Sequence, residues 1–370
     1  MQMQHKKIII SSYDELKNPY YAGGGAVAIH EIAKRLDQYS AVTIFCGKYP
    51  GYKDYTSHNI HYKHIGLEVA GRVGQLIFQL FLPYFVKNES YDLWIESFTP
   101  PFSTGFLPLF TAVPVIGLTH MLSGQDMRRK YKIPFDLIES FGLKFYKHFI
   151  VLTGMDKKKI ERINPSAEIA AIPNGVNLSR NTQETIDRKH ILYIGRIEID
   201  QKGLDILIDA YHQMITITNY PLVIAGNGTK KEIKKLRMLI KKFHLNHRIK
   251  LLGKVGQKKK NILYQQAVCV VIPSRFETFS LVALESFSRK RVIVTFAIPG
   301  LSWIPNAYRV VAGEMKATLL KDAILSMVNN QPKRKKIEES LGKFVKKFNW
   351  DVISKKYIFY INNILKKGYQ

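Results

Sequence analysis

Short apolar runs alternate with helical patterns along almost the whole chain, and this alternation limits the possible folds more than any other feature. The runs are rich in Ile, Val and Leu and are separated by polar or glycine-bearing segments. Such alternation is typical of βαβ units, whose strands form a parallel sheet buried on both faces. The predicted strands are Lys7–Ser11, Val42–Phe45, Leu93–Glu96, Val113–Thr119, Phe149–Thr153, Ile169–Ile172, Ile191–Ile194, Leu222–Ala225, Ile249–Leu252, Val268–Ile272 and Val292–Thr295.

The strands fall into two series, each opened by a strand and a glycine-bearing loop, which predicts two doubly wound α/β domains. A chain of 370 residues, 46% of them hydrophobic, is long and apolar enough for two such cores. The polar, aperiodic segment 177–189 marks the boundary, so we expect a first domain over residues 1–178 and a second over 179–343. Ligands of such sheets bind at the carboxyl ends of the strands, which favours a cleft between two facing sheets.

Cysteine usage and the N-terminal sequence favour a cytoplasmic protein. Cys46 and Cys269 both lie in strand-like runs and no CxxC pair occurs, so neither a disulfide framework nor a zinc site is indicated. The N-terminus leads at once into the first strand without the longer apolar core of a secretory signal. No run of 18 apolar residues is present that would predict a membrane-spanning helix.

The segment from Pro273 to Glu285 carries the clearest functional pattern. A strand ends at Pro273, a helical pattern begins at Leu281, and the carboxylates of Glu277 and Glu285 bracket the junction. The start of a helix has unpaired backbone N–H groups that suit a phosphate, and carboxylates suit the hydroxyls of a sugar and a ribose. The pattern indicates a nucleotide-sugar site, although two Glu residues at this spacing also occur by chance in α/β proteins.

Three motifs resemble those of the family 4 retaining glycosyltransferases. The segment Glu277–Glu285 resembles the Glu-x7-Glu signature, with Thr278 and Ser280 in place of two customary glycines. The segment 172–177 resembles I-P-N-G-V-D, with Asn in place of the final Asp, and alone it would indicate only an Asn-Gly turn. The segment 193–203, with Gly195-Arg196 and Lys202-Gly203, resembles the element V-G-R…x-K-G.

The resemblance implies the GT-B fold, in which two Rossmann-like domains face each other across a cleft. It also implies that the C-terminal helix, expected over residues 344–370, crosses back to the first domain, because Phe348-Asn349-Trp350 resembles the usual opening of that helix. The implied reaction moves a sugar, with retention of configuration, from a nucleoside-diphosphate donor to a glycan, lipid-linked or polysaccharide acceptor. No Asp-x-Asp ends a strand, so we expect no cofactor and no metal.

The resemblance also implies roles for individual residues. Arg196 and Lys202 would stabilise the leaving diphosphate, Glu285 would bind the ribose, Glu277 the donor sugar, and His120 the reacting face. The implied catalytic residues are His120, Glu277, Arg196 and Lys202. The implied donor-binding residues are Gly24, Gly25, Asn174, Arg196, Lys202, Val255, Glu277, Thr278, Phe279, Ser280, Leu281 and Glu285.

Weaker signals indicate an acceptor side in the first half of the chain. Gly24 and Gly25 precede the first helical pattern, where glycines let a ligand approach the backbone. His120 follows one predicted strand and Glu96 ends another. Alone, each would more often be a structural residue, and the resemblance favours a functional role for His120. Gln125 and Arg128 follow His120 and are further acceptor candidates.

A net charge of +27 predicts attraction to an anionic surface. The alternative is that the lysines lie on solvated helix faces, as in 230–244, where they lie opposite an apolar stripe. Nucleic acid is not an expected partner, because no nucleic-acid-binding motif accompanies the charge. The apolar segment 72–87 suits either a buried packing helix or a membrane-interface segment, which leaves peripheral membrane association open. The sequence indicates no particular oligomeric state.

Three other functions remain compatible with the sequence. A GT-B nucleotide-sugar epimerase does not transfer a sugar, so release of nucleoside diphosphate only in the presence of an acceptor would argue against it. A catalytically silent GT-B scaffold would bind nucleotide without turnover. A basic nucleic-acid binder would show a steep salt dependence, with a log–log slope of roughly −0.9 per phosphate contact. Substitution of Glu285 should abolish donor binding and leave nucleic-acid binding unchanged.

Overall fold

A computed structural model describes most of the chain, and side-chain detail is given for all described residues except 72, 126 and 130. The described residues are 6–20, 23–69, 71–100, 103–178 and 187–367. Most of the polar segment predicted as the domain boundary, residues 179–186, lies outside them.

The chain forms two compact units, each built on its own parallel sheet. The first unit comprises the chain up to Asn174 and again from Trp350, and the second comprises Gly175 to Asn349. The elements of the first unit are β1 Lys7–Ser11, α1 Gly24–Leu36, β2 Ala41–Gly47, β3 Tyr55–Ser57, β4 Ile60–Ile65, α2 Arg72–Asn88, β5 Leu93–Ser97, η1 Leu107–Leu109, β6 Val115–Thr119, α3 Gly124–Tyr131, α4 Phe135–Leu143, β7 His148–Val151, α5 Gly154–Ile163, β8 Glu168–Ala171 and α13 Trp350–Lys367.

The sheet of the first unit has the strand order β3-β4-β2-β1-β5-β6-β7-β8, and only β3 is antiparallel to its neighbour. The two faces of β1 pack into two separate cores because alternate side chains point to opposite faces. Ile8 and Ile10 pack with residues of α1 and α13, whereas Ile9 packs with residues of α2, including Phe78 and Leu82. Helices therefore cover both faces, as a doubly wound sheet requires.

Helix α13 is an integral part of the first unit although it is the last element of the chain. Trp350, Ile353, Tyr357 and Ile361 are buried in the same core as α1 and β1. The hydroxyl of Tyr360 also donates a hydrogen bond to the carbonyl oxygen of residue 168 at the end of the sheet. The prediction that the chain crosses back to its first domain is confirmed.

The second unit has the strand order β11-β10-β9-β12-β13-β14, all parallel. Every residue of β9 and β12 is buried, which explains their continuous apolar sequences. The elements are β9 His190–Ile194, α6 Ile199–Lys202, α7 Leu204–His212, β10 Leu222–Ala225, α8 Lys230–Lys242, β11 Ile249–Gly253, α9 Gln257–Gln266, β12 Ala267–Ile272, α10 Leu281–Phe287, β13 Ile293–Phe296, η2 Pro299–Leu301, η3 Asn306–Tyr308, β14 Arg309–Ala312, α11 Ala317–Val328 and α12 Gln331–Lys346.

All eleven predicted strands are present, and the structure adds β3, β4 and β14. The crossing segment differs from the expected single helix over 344–370, because α12 ends at Lys346 and α13 begins at Trp350. Phe348 packs against Trp303 of the second unit, whereas Trp350 enters the core of the first, so the chain changes units between them. The other change of units follows Asn174, four residues before the expected boundary.

The segments 72–87 and 230–244 both form helices, α2 and α8, and they differ in which of their residues are buried. Helix α2 buries Phe78 and Leu82, as a packing helix does, but it leaves Leu80 and Tyr84 on its outer face. Helix α8 buries Leu236 and Ile240 and exposes most of its lysines, as expected of a surface helix. Among the residues that the structure places, no helix combines the length and apolarity needed to cross a membrane.

Substitutions on α13 test how far the first unit depends on it. Ile361 is fully buried and Phe359 is 70% exposed on the same helix. We expect Ile361→Ala to lower the free energy of unfolding by about 2–5 kcal/mol, because it leaves a cavity in the core. The matched Phe359→Ala change should alter it by less than about 0.5 kcal/mol in the same urea titration. Equal effects of the two changes would contradict the assignment of α13 to this core.

Candidate functional site

The order of strands in the second unit fixes where a ligand can bind. The chain winds in one direction from β9 to β11 and in the other from β12 to β14, so β9 and β12 are neighbours at the switch point. Ligands of open parallel sheets bind outside the carboxyl ends of the strands at this point. The segments that follow β9 and β12 contain the predicted residues Arg196, Lys202 and Glu277.

The segment after β9 carries the two cations. The guanidinium of Arg196 is largely exposed, with Nη2 2.9 Å from Glu198 Oε2 and 3.0 Å from Gln201 Oε1. Lys202 ends the single-turn helix α6, and Gly203 follows with a left-handed φ of 61°. A Cβ at Gly203 would lie 2.0 Å from the carbonyl oxygen of Pro273 at the end of β12. Glycine is therefore required for this close approach.

The approach brings Lys202 to the first carboxylate of the Glu-x7-Glu motif. Lys202 Nζ lies 2.8 Å from Glu277 Oε1, and the hydroxyl of Ser274 donates to the same oxygen at 2.7 Å. Both side chains of the ion pair are largely buried. Gly300 packs directly against the backbone of Glu277. A Cβ at Gly300 would lie 1.7 Å from the carbonyl oxygen of Glu277, so no larger residue fits there. The cation and the carboxylate are therefore held together at the carboxyl ends of the two central strands, β9 and β12.

Phe279 and Ser280 follow Glu277 in the same segment and lead into helix α10. Phe279 is buried, stacks on the indole of Trp303 at 4.5 Å, and accepts a hydrogen bond from Trp303 Nε1 at its carbonyl oxygen, 2.8 Å away. Ser280 has a left-handed φ of 63° and is 8% exposed, and its buried hydroxyl has no hydrogen-bond partner among the described residues. Thr278 and Leu281 on either side are half-buried.

The second carboxylate of the motif, Glu285, lies on α10 and is bound by two residues of α9. Lys260 Nζ donates to Glu285 Oε1, and the hydroxyl of Tyr264 donates to Oε2 at 2.8 Å. Burial, with Glu285 as a further cause, raises the pKa of Tyr264 well above its ordinary value, so this hydroxyl remains protonated. The half-buried Val255 precedes α9, in the segment that joins this helix to β11.

In the first unit, the predicted residues Gly25 and His120 are neighbours. A Cβ at Gly25 would lie 3.8 Å from His120 Cδ2, in ordinary contact, and Gly24 is the preceding residue of α1. His120 Nε2 is shielded from solvent and has no hydrogen-bond partner in the part of the chain that the structure describes. Burial lowers the pKa of His120 to about 4, so the ring is neutral at pH 7. Asn174 is also buried, and no described residue forms a hydrogen bond with its Oδ1.

The acceptor candidates differ strongly in environment. Glu96 is buried, and its oxygens accept hydrogen bonds from the Tyr146 hydroxyl and the Gly105 amide. Burial raises the pKa of Glu96 to about 7. Because the carboxylate of Glu96 is buried, contact with an acceptor would require the residues that cover it to move. Gln125 and Arg128 lie exposed on α3, and Arg128 Nη1 is 2.8 Å from Asp136.

Sequence reasoning missed several residues that hold the site together. Lys260 ends a run of three lysines that has the composition of an exposed surface, and Tyr264 and Trp303 belong to none of the recognised motifs. The one available signal was the i, i+4 spacing of Lys260 and Tyr264, which places both on one face of α9. Within the described residues, no three His, Cys, Asp or Glu side chains are grouped so that they could hold a metal ion.

Comparison with known families decides the assignment. The model for Glycosyltransferase Family 4 matches residues 22–180, and the model for Glycosyl transferases group 1 matches residues 177–343. The chain belongs to the group 1 glycosyltransferases of family 4. The recognition made from the motifs is confirmed, and glycosyl transfer is the class of reaction that this family performs.

Relatives of this glycosyltransferase include an uncharacterized glycosyltransferase of Methanocaldococcus jannaschii. It is 26% identical over 349 residues, covering 90% of this chain and 92% of that protein. Sucrose-phosphate synthase from Thermosynechococcus elongatus has a TM-score of 0.83 at 18% identity, covering 98% of this chain and 100% of that one. Anabaena HepE in complex with UDP-glucose has a TM-score of 0.75 at 15% identity, covering 97% and 100%. These structural likenesses confirm the GT-B fold.

The backbone at Ser280 provides a test of the site's local structure. A left-handed conformation costs a side-chain-bearing residue about 1–2 kcal/mol, which glycine avoids. We expect Ser280→Gly to raise the free energy of unfolding by up to about 1 kcal/mol after the greater flexibility of unfolded glycine is subtracted. Ser288→Gly is the matched control, since Ser288 has a right-handed φ of −62° and should lose stability. Urea unfolding measures both, and destabilisation by Ser280→Gly would contradict the assigned conformation.

Proposed function

We propose that the second unit binds a nucleoside-diphosphate sugar and that the enzyme transfers the sugar with retention of configuration. The observation that carries this proposal is the pair formed by Lys202 and Glu277 at the switch point between β9 and β12. This is where an open parallel sheet binds its ligand, and it supplies both a cation for phosphate and a carboxylate for hydroxyls.

The individual roles follow from charge and hydrogen-bonding capacity. Lys202 and Arg196 would stabilise the diphosphate, whose negative charge grows as the sugar leaves, without a divalent metal. Glu277 would accept hydrogen bonds from hydroxyls of the donor sugar. Glu285 would accept them from the ribose, because each of its oxygens has lone-pair capacity beyond its bond to Lys260 or Tyr264.

The remaining donor contacts would come from backbone and neutral groups. The segment Thr278–Leu281 would present its backbone to the donor, and Val255 would lie on the side of the base. His120, neutral at pH 7, would hydrogen-bond the transferring sugar through Nε2 rather than act as a strong base. Gly24, Gly25 and Asn174 complete the proposed donor set.

Two solved structures with a similar fold contain a bound uridine nucleotide, which favours UDP as the first nucleotide to test. HepE has been crystallised with UDP-glucose, and a trehalose-6-phosphate protein of E. coli with UDP-2-fluoro glucose. Because both of these ligands carry a glucose unit, we also propose that the donor sugar is a hexose. For the acceptor we propose a glycan or a lipid-linked sugar, contacted by Gln125 and Arg128, with Glu96 as a further contact if its internal bonds open.

Nucleoside diphosphates should stabilise the protein against unfolding. At about 100 times its dissociation constant, the correct nucleotide should add about 2.7 kcal/mol to the free energy of unfolding. We expect one of the diphosphates UDP, GDP and ADP, or the monophosphate CMP if the donor is a CMP-sugar, to do so with the wild type. Lys202→Ala and Glu285→Ala should each lose most of this gain, because each removes a direct ligand of the nucleotide.

Glu314→Ala is the matched control for that experiment. Glu314 is an exposed carboxylate of the second unit that pairs with Lys316, so its loss should leave nucleotide stabilisation unchanged. Stabilisation that survives in both Lys202→Ala and Glu285→Ala would contradict the proposed site. Absence of stabilisation by any of the four nucleotides would contradict donor binding itself.

We also propose that the first unit associates peripherally with an anionic membrane surface. The outer face of α2 exposes Leu80 (68%) and Tyr84 (65%), and η1, which packs beside α2, exposes Leu109. On α4, Leu137 and Phe141 are exposed, and Phe141 adjoins the residue before η1. Exposed basic residues accompany this apolar surface, namely Lys87, Arg128, Arg129, Lys132 and Lys144. Apolar contact and attraction to acidic lipid would act together.

Vesicle binding distinguishes this surface from the overall basic charge. We expect the protein to sediment with vesicles containing phosphatidylserine and much less with phosphatidylcholine alone. The double change Leu80→Ser and Tyr84→Ser should weaken binding by roughly tenfold, because it removes apolar contact but no charge. Phe359→Ser, on the exposed face of α13, is the matched control and should bind as the wild type. Unchanged binding by the double variant would leave charge alone as the cause and contradict the proposed surface.

A further inference from the structure

Helix α6 is too short to hold its own conformation, yet it carries Lys202. It consists of the four residues Ile199–Lys202. A single helical turn is unstable in isolation, because nucleation costs more than so few hydrogen bonds return. Contacts from other elements must therefore fix the position of Lys202.

Arg275, in the segment that follows β12, contacts α6 before Lys202 and the first turn of α7 after it. Its Nη1 donates to the carbonyl oxygen of Asp200 at 2.6 Å, and its backbone N–H donates to that of Gln201 at 2.9 Å. Its guanidinium also forms a two-point bond with the carboxylate of Asp205, at 2.8 and 2.6 Å. Arg275 thus ties the segment after β12 to residues both before and after Lys202.

A second contact fixes the other end of the same turn. The carboxylate of Glu232, on α8, accepts a hydrogen bond from the backbone N–H of Ile199 at 2.8 Å. This bond satisfies one of the N–H groups that every helix start leaves without an internal partner. Glu232 therefore holds Ile199, the first residue of α6. Lys202, the last residue of α6, is held by the contacts of Arg275 and by the contact of Gly203 with Pro273.

We propose that Arg275 is a positioning residue of the donor site, which sets the separation between Lys202 and Glu277 without touching the donor. Glu277 is two residues beyond Arg275 in the same segment, and Lys202 lies within the part of the chain that Arg275 clamps. The clamp therefore fixes the cation and the carboxylate relative to each other. This inference rests on the proposed function, because it deepens the description of the same site.

The chemistry of the clamp predicts a specific pattern of substitutions. A guanidinium makes the two parallel bonds to Asp205 and the bond to Asp200 at once, whereas an ammonium cannot reproduce this planar geometry. The two side chains are 37% and 36% exposed, and exposed pairs contribute little to overall stability. The loss should appear in the local order of α6 and in donor binding rather than in global unfolding.

The test compares Arg275→Ala, Arg275→Lys and the exchanged pair Arg275→Asp with Asp205→Arg. We expect amide hydrogen exchange in residues 199–203 of the ligand-free protein to speed up at least tenfold in Arg275→Ala and Arg275→Lys. The dissociation constant for UDP, or for whichever diphosphate binds the wild type, should rise about tenfold in both. The exchanged pair should recover part of both losses, because it restores the ion pair between the two segments but not the bond to the carbonyl oxygen of Asp200.

Lys316→Ala provides the control, since it breaks an exposed ion pair of the second unit outside these segments. Unchanged exchange in residues 199–203 of Arg275→Ala would overturn the inference whether or not any nucleotide binds. Faster exchange with an unchanged dissociation constant would also overturn it, because α6 would then be ordered by Arg275 without consequence for the donor. A wild type that binds no diphosphate, with exchange altered as expected, would instead overturn the proposed function and with it the positioning of a donor site.

Discussion

The contact of Gly203 with the carbonyl oxygen of Pro273 determines the arrangement of the charged groups in the second unit. No other residue type could approach that oxygen so closely, since a Cβ would lie 2.0 Å away. The contact joins the helix that follows β9 to the end of β12. As a result, Lys202 and Glu277, which are 75 residues apart in sequence, form an ion pair at 2.8 Å.

Both carboxylates of the Glu-x7-Glu motif form an ion pair with a lysine. Glu277 pairs with Lys202 and Glu285 pairs with Lys260, so each carboxylate of the motif has its own ammonium partner. Pairing offsets the cost of holding four charged groups partly out of water. A nucleoside diphosphate would share these ammonium groups with the carboxylates, and the site would then distinguish a sugar-bearing nucleotide by its hydroxyls as well as its charge.

The sequence predicted the parts of the fold that depend on local pattern. Buried parallel strands such as β9 and β12 are almost entirely apolar and were recognised, whereas the three-residue strand β3 is too short to give a signal and the apolar residues of β4 are interrupted by His61, Lys63 and His64. The motif gave Glu277 and Glu285 as candidates. It could not give Lys260, Trp303 or Arg275, because their contacts join segments far apart in sequence and are set by packing. The burial of Glu96 was hidden for the same reason, since its partners are Tyr146 and Gly105.

We propose that a nucleoside diphosphate binds at the carboxyl ends of β9 and β12, and a crystal structure of the protein grown with UDP would test this directly. We expect diphosphate oxygens within hydrogen-bond distance of Lys202 Nζ and the Arg196 guanidinium, with a ribose hydroxyl on Glu285. A nucleotide bound elsewhere on the chain, or one whose ribose does not contact Glu285, would contradict it.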